Sequence, residues 1–302
     1  MYRIKYLLGL MISSTLLFSC SNEVEAPSFD VKTEKQEYKV GDSVSFTLSG
    51  HADIITFYSG EKGKEYQFKN RTEASGKLEL EMETQVLFGS QPDNLSVLVS
   101  TDFNNVYDTT NVRAAKWSDI TKRFTLSTSA AGANGVRTSS GKVDISDLIV
   151  SGKPLYFAYK YLGQPVSPTS QRTWRVYSFN LTNTLEDNTV LNGATITTAG
   201  WIGLDFANPA NKWTIQAAAP SLFFVPASSV IKSEDWVVTK ALFPTTVTPD
   251  LGTGIKAFLE PMRKTFKYAF SAPGVYTVTF VATNAEDTNQ RKSVKEVQVT
   301  VK

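Results

Sequence analysis

The sequence predicts an all-β sandwich protein, and three observations support this fold class. Apolar and polar residues alternate over short runs, such as 43–48, 77–83 and 296–301. Alternation of this kind buries one face of a strand and exposes the other to water. Turn residues such as Gln91-Pro-Asp-Asn94 separate these runs. No window of a dozen residues carries an apolar stripe of helical period, so we expect sheets and not helices to form the core.

The first twenty residues predict a secretory signal peptide at 1–19 that is removed. Arg3 and Lys5 form a cationic start, residues 7–18 are mostly apolar, and Ser19 is the small residue before the cut. The apolar stretch is shorter than the roughly 20 residues that a membrane-spanning helix needs. Cys20, the single cysteine of the chain, stands at the cleavage point and has no partner for an internal disulfide.

The sequence Leu17-Phe-Ser-Cys20 resembles the lipobox of bacterial lipoproteins, in which the thiol is acylated and becomes the new N-terminus. This resemblance implies a lipid anchor at Cys20 in the outer membrane, with residues 20–27 as lipidated cysteine and tether. Residues 21–25 look like the acidic export signal of Bacteroidetes lipoproteins, which implies display on the cell exterior. There are two alternatives. The anchored protein faces the inside of the outer membrane, or Cys20 is a chance thiol in an ordinary signal peptide.

The charge balance argues against nucleic acid as a partner. Removal of residues 1–19 takes Arg3 and Lys5 from the 31 basic residues and leaves the 29 acidic ones unchanged, so the mature chain is formally neutral. It therefore lacks a basic field that would neutralise phosphates. Aromatic residues make up 12% of the chain, which has one histidine. This composition favours packing and stacking over nucleophilic or metal chemistry, and we expect no enzymatic activity.

The two ends of the chain resemble parts of one domain. Residues 28–70 resemble the opening strands of a polycystic-kidney-disease-type (PKD) immunoglobulin-like domain, and residues 265–302 resemble its closing strands. The most specific part is Pro273-Gly-Val-Tyr-Thr-Val278, where a Pro-Gly turn precedes a strand. We therefore expect a discontinuous domain formed by 28–73 and 256–302. Two terminal fragments that pack separately are the alternative.

The intervening residues 74–255 are similar to the jelly-roll modules of cleaved adhesins. Segments 94–103, 154–161 and 173–177 carry this likeness. With the split ends around it, the mature chain resembles a domain-of-unknown-function family of Bacteroidetes surface lipoproteins. That family is associated with glycan-uptake systems of paired transporters and substrate-binding lipoproteins. The resemblance implies a polysaccharide or oligosaccharide ligand and a transporter complex as partner.

Tryptophans are the candidate ligand-binding residues, and all five fall in the 74–255 segment. A flat aromatic ring can hold the C–H face of a sugar while carboxylates bind its hydroxyl groups. Trp201 lies in the Gly-flanked sequence Gly200-Trp-Ile-Gly-Leu-Asp205, and Trp213 follows a loop pattern. Trp201 and Trp213 with Asp205 are therefore the candidate glycan site, with burial of both rings in the core as the alternative. The tryptophans beside strand patterns, expected in the core, are Trp117, Trp174 and Trp236.

A weaker candidate is a structural calcium site at Asp102, Asn104 and Asp108. Their oxygens are the hard ligands that Ca²⁺ prefers, but their spacing matches no EF-hand loop. Clusters of Asp and Asn also form turns without any metal. His51 has no second histidine and no free cysteine with which to form a zinc site.

Three functions are open on the sequence alone. The first is a non-catalytic surface lipoprotein that binds glycan within a polysaccharide-uptake system, and this function requires exposed aromatic rings. The second is an adhesion or scaffolding lipoprotein that binds a protein partner. The third is a glycoside-active enzyme, which requires two facing carboxylates about 5 to 9.5 Å apart.

Overall fold

The computed structural model of the protein describes residues 24–167, 169–227, 231–286 and 289–302. The signal peptide expected at 1–19 and the lipidation site expected at Cys20 lie outside the described residues. Regular structure within them is almost entirely β-strand, which confirms the all-β prediction. No helix in this part of the chain is both long and apolar enough to cross a membrane.

The strands of the described residues, in chain order, are β1 (Ser28–Thr33), β2 (Glu37–Tyr38), β3 (Ser43–His51), β4 (Ile54–Tyr58), β5 (Gly76–Leu87), β6 (Leu95–Ser100), β7 (Ser118–Asp119), β8 (Thr138–Ser139), β9 (Val143–Asp144), β10 (Tyr156–Gly163), β11 (Thr173–Leu185), β12 (Val190–Thr195), β13 (Ile202–Ala207), β14 (Trp213–Ile215), β15 (Leu222–Phe224), β16 (Ser233–Val238), β17 (Thr253–Lys256), β18 (Thr265–Ala269), β19 (Gly274–Glu286) and β20 (Asn289–Val301). The helices are α1 (Thr109–Ala114) and single 3₁₀ turns at Tyr66–Phe68, Thr121–Arg123 and Ser146–Leu148.

The described chain divides into two compact units, which are 24–71 with 249–302, and 72–248. The first unit contains two sheets, with strand orders β1-β3-β18 and β17-β4-β19-β20-β2. In both sheets, strands from the start of the chain pair with strands from its end. Antiparallel pairing joins β3 to β18 and β4 to β19. The first unit is thus assembled from segments that are about 200 residues apart in sequence.

An aromatic cluster fills the core of the first unit. Phe46 of β3, Phe57 of β4 and Phe280 of β19 are at most 2% exposed. The ring centroids of Phe46 and Phe280 are 5.2 Å apart in an edge-to-face arrangement, and Phe57 lies 5.2 Å from Phe280. Edge-to-face pairs contribute about 0.5–1.5 kcal/mol beyond the burial of their area. The packing therefore couples the N-terminal and C-terminal segments energetically.

The second unit is a sandwich of a β13-β16-β10-β6-β7 sheet and a β14-β15-β11-β5-β8 sheet. β12 extends the second sheet beside β11, and β9 pairs with β5. The alternation in β5 is as the sequence predicts, since Leu78, Leu80 and Met82 are fully buried in the core between the sheets.

Strand β10 is buried on both faces. Tyr159 packs into the core between the sheets, and Ala158 packs into a smaller apolar cluster on the outer face. Val112 of α1 belongs to that outer cluster and is fully buried. This double coverage explains why the sequence 155–159 is a continuous apolar run without alternation.

We expect a measurable coupling between Phe46 and Phe280. In a double-mutant cycle with Phe46→Leu and Phe280→Leu, the coupling energy should be about 0.5–1.5 kcal/mol, because the two rings are in contact. The measurement is urea unfolding followed by circular dichroism. Tryptophan fluorescence reports the second unit separately, since all five tryptophans lie in it.

The matched control cycle combines Phe46→Leu with Phe157→Leu, a buried ring of the second unit. That pair should be additive within about 0.5 kcal/mol. Additivity of Phe46 and Phe280 as well would show that the chain ends do not share one core.

Candidate ligand-binding site

A cavity of about 280 Å³ opens in the second unit where β11 begins. Two loops, 90–93 and 126–129, contribute most of its wall, and Arg172 and Trp174 complete it near the start of β11. The residues that line it are Val86, Ser90, Gln91, Pro92, Asp93, Leu95, Thr121, Leu126, Ser127, Thr128, Ser129, Arg172 and Trp174. Apolar side chains, hydroxyl groups, an amide, a guanidinium and a carboxylate thus meet in one concave site, as in small-molecule sites of proteins.

Arg172 links the two loops of the wall. Its Nε donates to the carbonyl oxygen of Gln91 at 2.9 Å, and one terminal nitrogen donates to Ser129 Oγ at 2.6 Å. The other terminal nitrogen donates to the carbonyl oxygens of Ser129 and Ala130. These contacts use four of the five N–H donors of a guanidinium, so one donor is left for a ligand or water.

The charge of Arg172 is buried without a counterion. The residue is 8% exposed, and no carboxylate among the described residues forms an ion pair with it. A buried charge without a partner is costly, and carbonyl contacts compensate it only in part. The cavity wall is therefore electropositive at this point.

Trp174 lines the same cavity, and its indole carries an unused hydrogen-bond donor. The residue is 6% exposed, and its indole Nε1 has no hydrogen-bond partner in the described part of the chain. A buried donor without a partner costs about 1–3 kcal/mol. Because Nε1 is itself closed off from solvent, a ligand oxygen would reach it and remove this penalty only after a local shift of the surrounding side chains.

The loop before β6 is held by Gln91, which is 3% exposed. Its Nε2 donates to the carbonyl oxygen of Gln164 at 2.9 Å, and its Oε1 accepts from the backbone N–H of Gln164 at 2.9 Å. Two residues later, Asp93 is exposed and has φ +52°. Among the described residues, no hydrogen bond or ion pair engages the Asp93 carboxylate. The fixed loop therefore presents an available acceptor at the cavity.

The prediction that Trp201 forms an exposed stacking platform is wrong. Trp201 is 9% exposed, its Nε1 donates to the carbonyl oxygen of Ile196 at 2.9 Å, and its ring lies 5.3 Å from that of Phe179. Gly200, with φ +65°, allows the turn before β13. Residues 201, 203 and 205 share one face of the strand, and at its start this face is directed between the two sheets.

The same correction applies to Trp213, which is 5% exposed. Its ring lies 5.7 Å from that of Phe224 in the core. Its backbone N–H donates to Asp235 Oδ1 at 3.0 Å, and its Nε1 donates to the carbonyl oxygen of Asp235 at 3.2 Å. Trp213 therefore follows a loop but is buried in the core. Its large apolar ring packs there, and both its backbone and its indole N–H groups bind oxygens of Asp235.

Asp205, the third residue of that candidate site, is exposed on β13 and does not line the cavity. It stands directly opposite Asp235 of β16 in the antiparallel register. Asp235 is 1% exposed, and its Oδ2 has no hydrogen-bond partner among the described residues. Burial is the main cause that raises the pKa of Asp235 to about 8, and the neighbouring Asp205 carboxylate contributes to this increase. The buried carboxyl group of Asp235 is therefore mostly protonated at neutral pH.

Of the tryptophans expected in the core, Trp174 and Trp236 are each 6% exposed, which confirms their burial. Trp117 is half-buried, and its ring lies 5.6 Å from that of Trp236 in an edge-to-face arrangement. Trp174 is buried in the core and also lines the cavity. The strand pattern around it predicted the burial but not the contact with the cavity.

The oxygens of the candidate calcium residues take part in local hydrogen bonds. Asp102 Oδ1 accepts from Ser100 Oγ and from the backbone N–H of Lys116. Asn104 Oδ1 accepts from the backbone N–H of Val106. Asp108 caps α1 by accepting from the backbone N–H of Asn111 at 2.7 Å. Within the described residues, no cluster of three or more His, Cys, Asp or Glu side chains has a geometry that could hold a metal ion.

The sequence contained weak signals for the cavity. Gln91-Pro-Asp-Asn94 is a turn pattern, and it places Asp93 in a loop. Arg172 directly precedes the strand pattern 173–177, as an isolated cation would in any surface turn. No local pattern shows that these residues meet, because the two segments are about 80 residues apart.

An all-β protein with a small mixed cavity is the class that this geometry defines. The chain belongs to a family described as a domain of unknown function (DUF5017), whose model matches residues 19–201. This match covers about three fifths of the chain and includes Asp93, Arg172 and Trp174. No curated protein and no solved structure matches the chain.

The carboxyl pair predicts a specific dependence of stability on pH. The folded pKa of Asp235 lies above the value of about 3.9 in an unfolded chain, so the folded state binds more protons between about pH 4 and pH 8. The free energy of unfolding should therefore decrease as pH rises through this window, by at most about 1.4 kcal/mol per pH unit from this one proton.

Asp235→Asn should remove this decrease, since the amide stays neutral and can donate to Asp205. Glu186→Gln, an exposed change of the same charge, should retain it. Thermal melting between pH 5 and pH 9 measures both. Equal slopes for wild type and Asp235→Asn would contradict the protonation of buried Asp235.

Proposed function

We propose that this protein is a non-catalytic lipoprotein that binds glycan at the outer face of the outer membrane, as part of a polysaccharide-uptake system. The observation that carries the proposal is the cavity beside β11, with the unpartnered Trp174 Nε1–H, the Arg172 guanidinium and the available Asp93 carboxylate. The resemblance of the sequence to Bacteroidetes surface lipoproteins supports the proposed bacterial group, membrane location and transporter partner. The cavity supplies the chemistry of recognition.

The cavity suits a sugar residue because a sugar offers complementary groups. Its hydroxyl oxygens would accept from the remaining donor of Arg172 and, after a local shift that opens a path to it, from Trp174 Nε1, while a hydroxyl group would donate to Asp93. The apolar side chains of Leu95 and Leu126 can pack on C–H groups of the ring. A volume of about 280 Å³ is at the lower end of ligand sites, which favours one sugar residue or chain end over a long segment.

Membrane attachment follows from Cys20 in this proposal. Two or more acyl chains hold a protein stably on a membrane, since each buried CH₂ group contributes about 0.8 kcal/mol. Such an anchor would place the glycan site at the cell surface, where a transporter partner could receive the ligand.

Binding without catalysis is the better-supported form of this function. The paired Asp205 and Asp235 do not line the cavity, so they do not flank a sugar bound there as the two carboxylates of a glycosidase do. Asp93 supplies the carboxylate of the cavity, and the other lining residues are Arg172 and uncharged side chains. An adhesion or scaffolding role is the alternative if no glycan binds, and calcium at Asp102, Asn104 and Asp108 remains a prediction.

Asp93→Asn should weaken glycan retention about tenfold or more. The substitution removes a charge-assisted hydrogen bond, worth about 1.5–3 kcal/mol, while asparagine tolerates the φ of +52°. Affinity electrophoresis in gels that contain purified plant or host polysaccharides, one at a time, measures the change. Glu186→Gln is the control for the loss of one negative charge on the same unit.

Trp174→Phe is a second test, because it removes the Nε1–H and keeps an aromatic ring. It should weaken retention by about three- to tenfold, the value of one neutral hydrogen bond. Melting temperatures of all variants show whether the fold is intact. If the wild-type chain is not retarded by any polysaccharide, the adhesion or scaffolding function takes first place. Release of sugar on prolonged incubation would instead favour the glycoside-active enzyme.

Cys20→Ser should move the protein from the membrane fraction to the soluble fraction of cells. The serine hydroxyl does not form the thioether to which the lipid is attached, so the anchor is lost. Fractionation with immunodetection measures the shift, and metabolic labelling with an alkynyl fatty acid reads the acylation directly. Continued membrane retention of the variant would refute the anchor.

A further inference from the structure

A short turn of the first unit exposes two large apolar side chains. Phe258 is 54% exposed and Leu259 is 93% exposed. The turn is fixed at its base, since the backbone N–H of Glu260 donates to the carbonyl oxygen of Ala257 at 3.1 Å and the Ala257 N–H donates to Glu260 Oε2 at 2.9 Å. The hydrogen-bonded turn therefore holds both apolar side chains in contact with water, which is unfavourable unless another surface covers them.

Hydrogen bonds connect this turn to the N-terminal end of the unit. Lys256 Nζ donates to the carbonyl oxygen of Asp53 at 2.6 Å, and the Asp53 N–H donates to Asn284 Oδ1 at 3.2 Å. Asn284 Nδ2 in turn donates to the carbonyl oxygen of Glu25 at 3.0 Å. The turn 257–260 and the point where the tether enters therefore lie at the same end of the first unit.

The covalent chain limits how far this end can be from a lipid anchor. Cys20 precedes Glu25 by five residues. A fully extended chain of five residues spans at most about 18 Å. If acyl chains on Cys20 are embedded in a membrane, the end of the unit that carries the turn lies close to the lipid surface.

We propose that Phe258 and Leu259 insert into the membrane to which Cys20 is anchored, and so hold the first unit against the lipid. The inference rests on the proposed lipid anchor, and its occupant is the bilayer surface itself. Arg263 and Lys264 follow the turn and are exposed. Arg263 lines the same shallow cavity as Phe258. Aromatic and aliphatic tips beside basic side chains are the composition of peripheral membrane-binding surfaces, where cations meet lipid phosphates.

The lipidated protein offers a direct test through a single probe. Acylation consumes the thiol of Cys20, so a Leu259→Cys substitution introduces the one free thiol of the protein. This thiol is labelled with the environment-sensitive dye NBD, and the protein is reconstituted into vesicles of phosphatidylethanolamine and phosphatidylglycerol. We expect a blue shift of the emission and quenching by spin-labelled lipids in the bilayer.

Val275→Cys is the matched control. Val275 is 63% exposed, and it lies nine residues before Asn284 on β19, about 30 Å along the strand from the tether end. A dye at this position should keep an aqueous emission spectrum. If the dyes at 259 and 275 behave alike, the proposal is overturned, and a protein partner for the turn becomes the better explanation.

A second measurement separates the turn from the anchor. Mature chain 20–302 with Cys20→Ser should bind the same vesicles weakly in flotation, and Phe258→Ser with Leu259→Ser should lower its partition coefficient about thirtyfold, equivalent to ~2 kcal/mol. Loss of binding in that variant supports the turn even if the anchor at Cys20 fails. Equal flotation with and without the two side chains overturns the proposal, whether or not the cavity binds glycan.

Discussion

Pairing between the two ends of the chain is the constraint on which the first unit depends. Residues 279–283 of β19 lie opposite residues 54–58 of β4, more than 200 positions earlier. No local interaction could hold either segment alone, since an isolated pair of strands is at best marginally stable in water. The buried Phe46, Phe57 and Phe280 supply the long-range contacts. Chain ends that pair in this way leave the 72–248 segment to fold as a separate compact unit.

Burial of aromatic side chains also determines which groups remain for recognition. Indole rings bury large apolar area, so a sandwich with a thick core tends to take them inward. Trp201 and Trp213 are used in this way, and their N–H groups are paired with backbone oxygens. Trp174 differs because its N–H has no partner in the described part of the chain. The feature that favours ligand binding is therefore an unmet hydrogen bond at the edge of the core and not an exposed ring.

The acidic pair on β13 and β16 illustrates how a sheet can bring like charges together. Direct opposition in the antiparallel register brings Asp205 and Asp235 side by side, and burial of Asp235 disfavours a second negative charge. The Trp213 N–H binds Oδ1 of Asp235, so the loop that carries Trp213 is attached to the same pair. The protonation of Asp235, its pairing with the edge strand β13 and the packing of Trp213 in the core are therefore linked.

The sequence by itself determined the fold class, because a two-residue period of apolar side chains has one physical outcome, a sheet buried on one face. It also determined that Cys20 cannot form a disulfide within the chain, because the chain has no other cysteine. Exposure of individual side chains was decided only by the tertiary structure. The Gly-flanked Trp201 and the solvent-side Asp93 both lie in loop-like sequence, yet one is buried and the other is available.

The cavity, the Asp205–Asp235 pair and the apolar turn at 257–260 each require contacts between segments that are distant in sequence. Arg172 meets Gln91 across about 80 residues, and Lys256 meets Asp53 across about 200. Periodicity and turn residues record how a segment behaves along its own axis. They carry no information on which other segment packs against it, because that choice depends on shape and register in the folded chain.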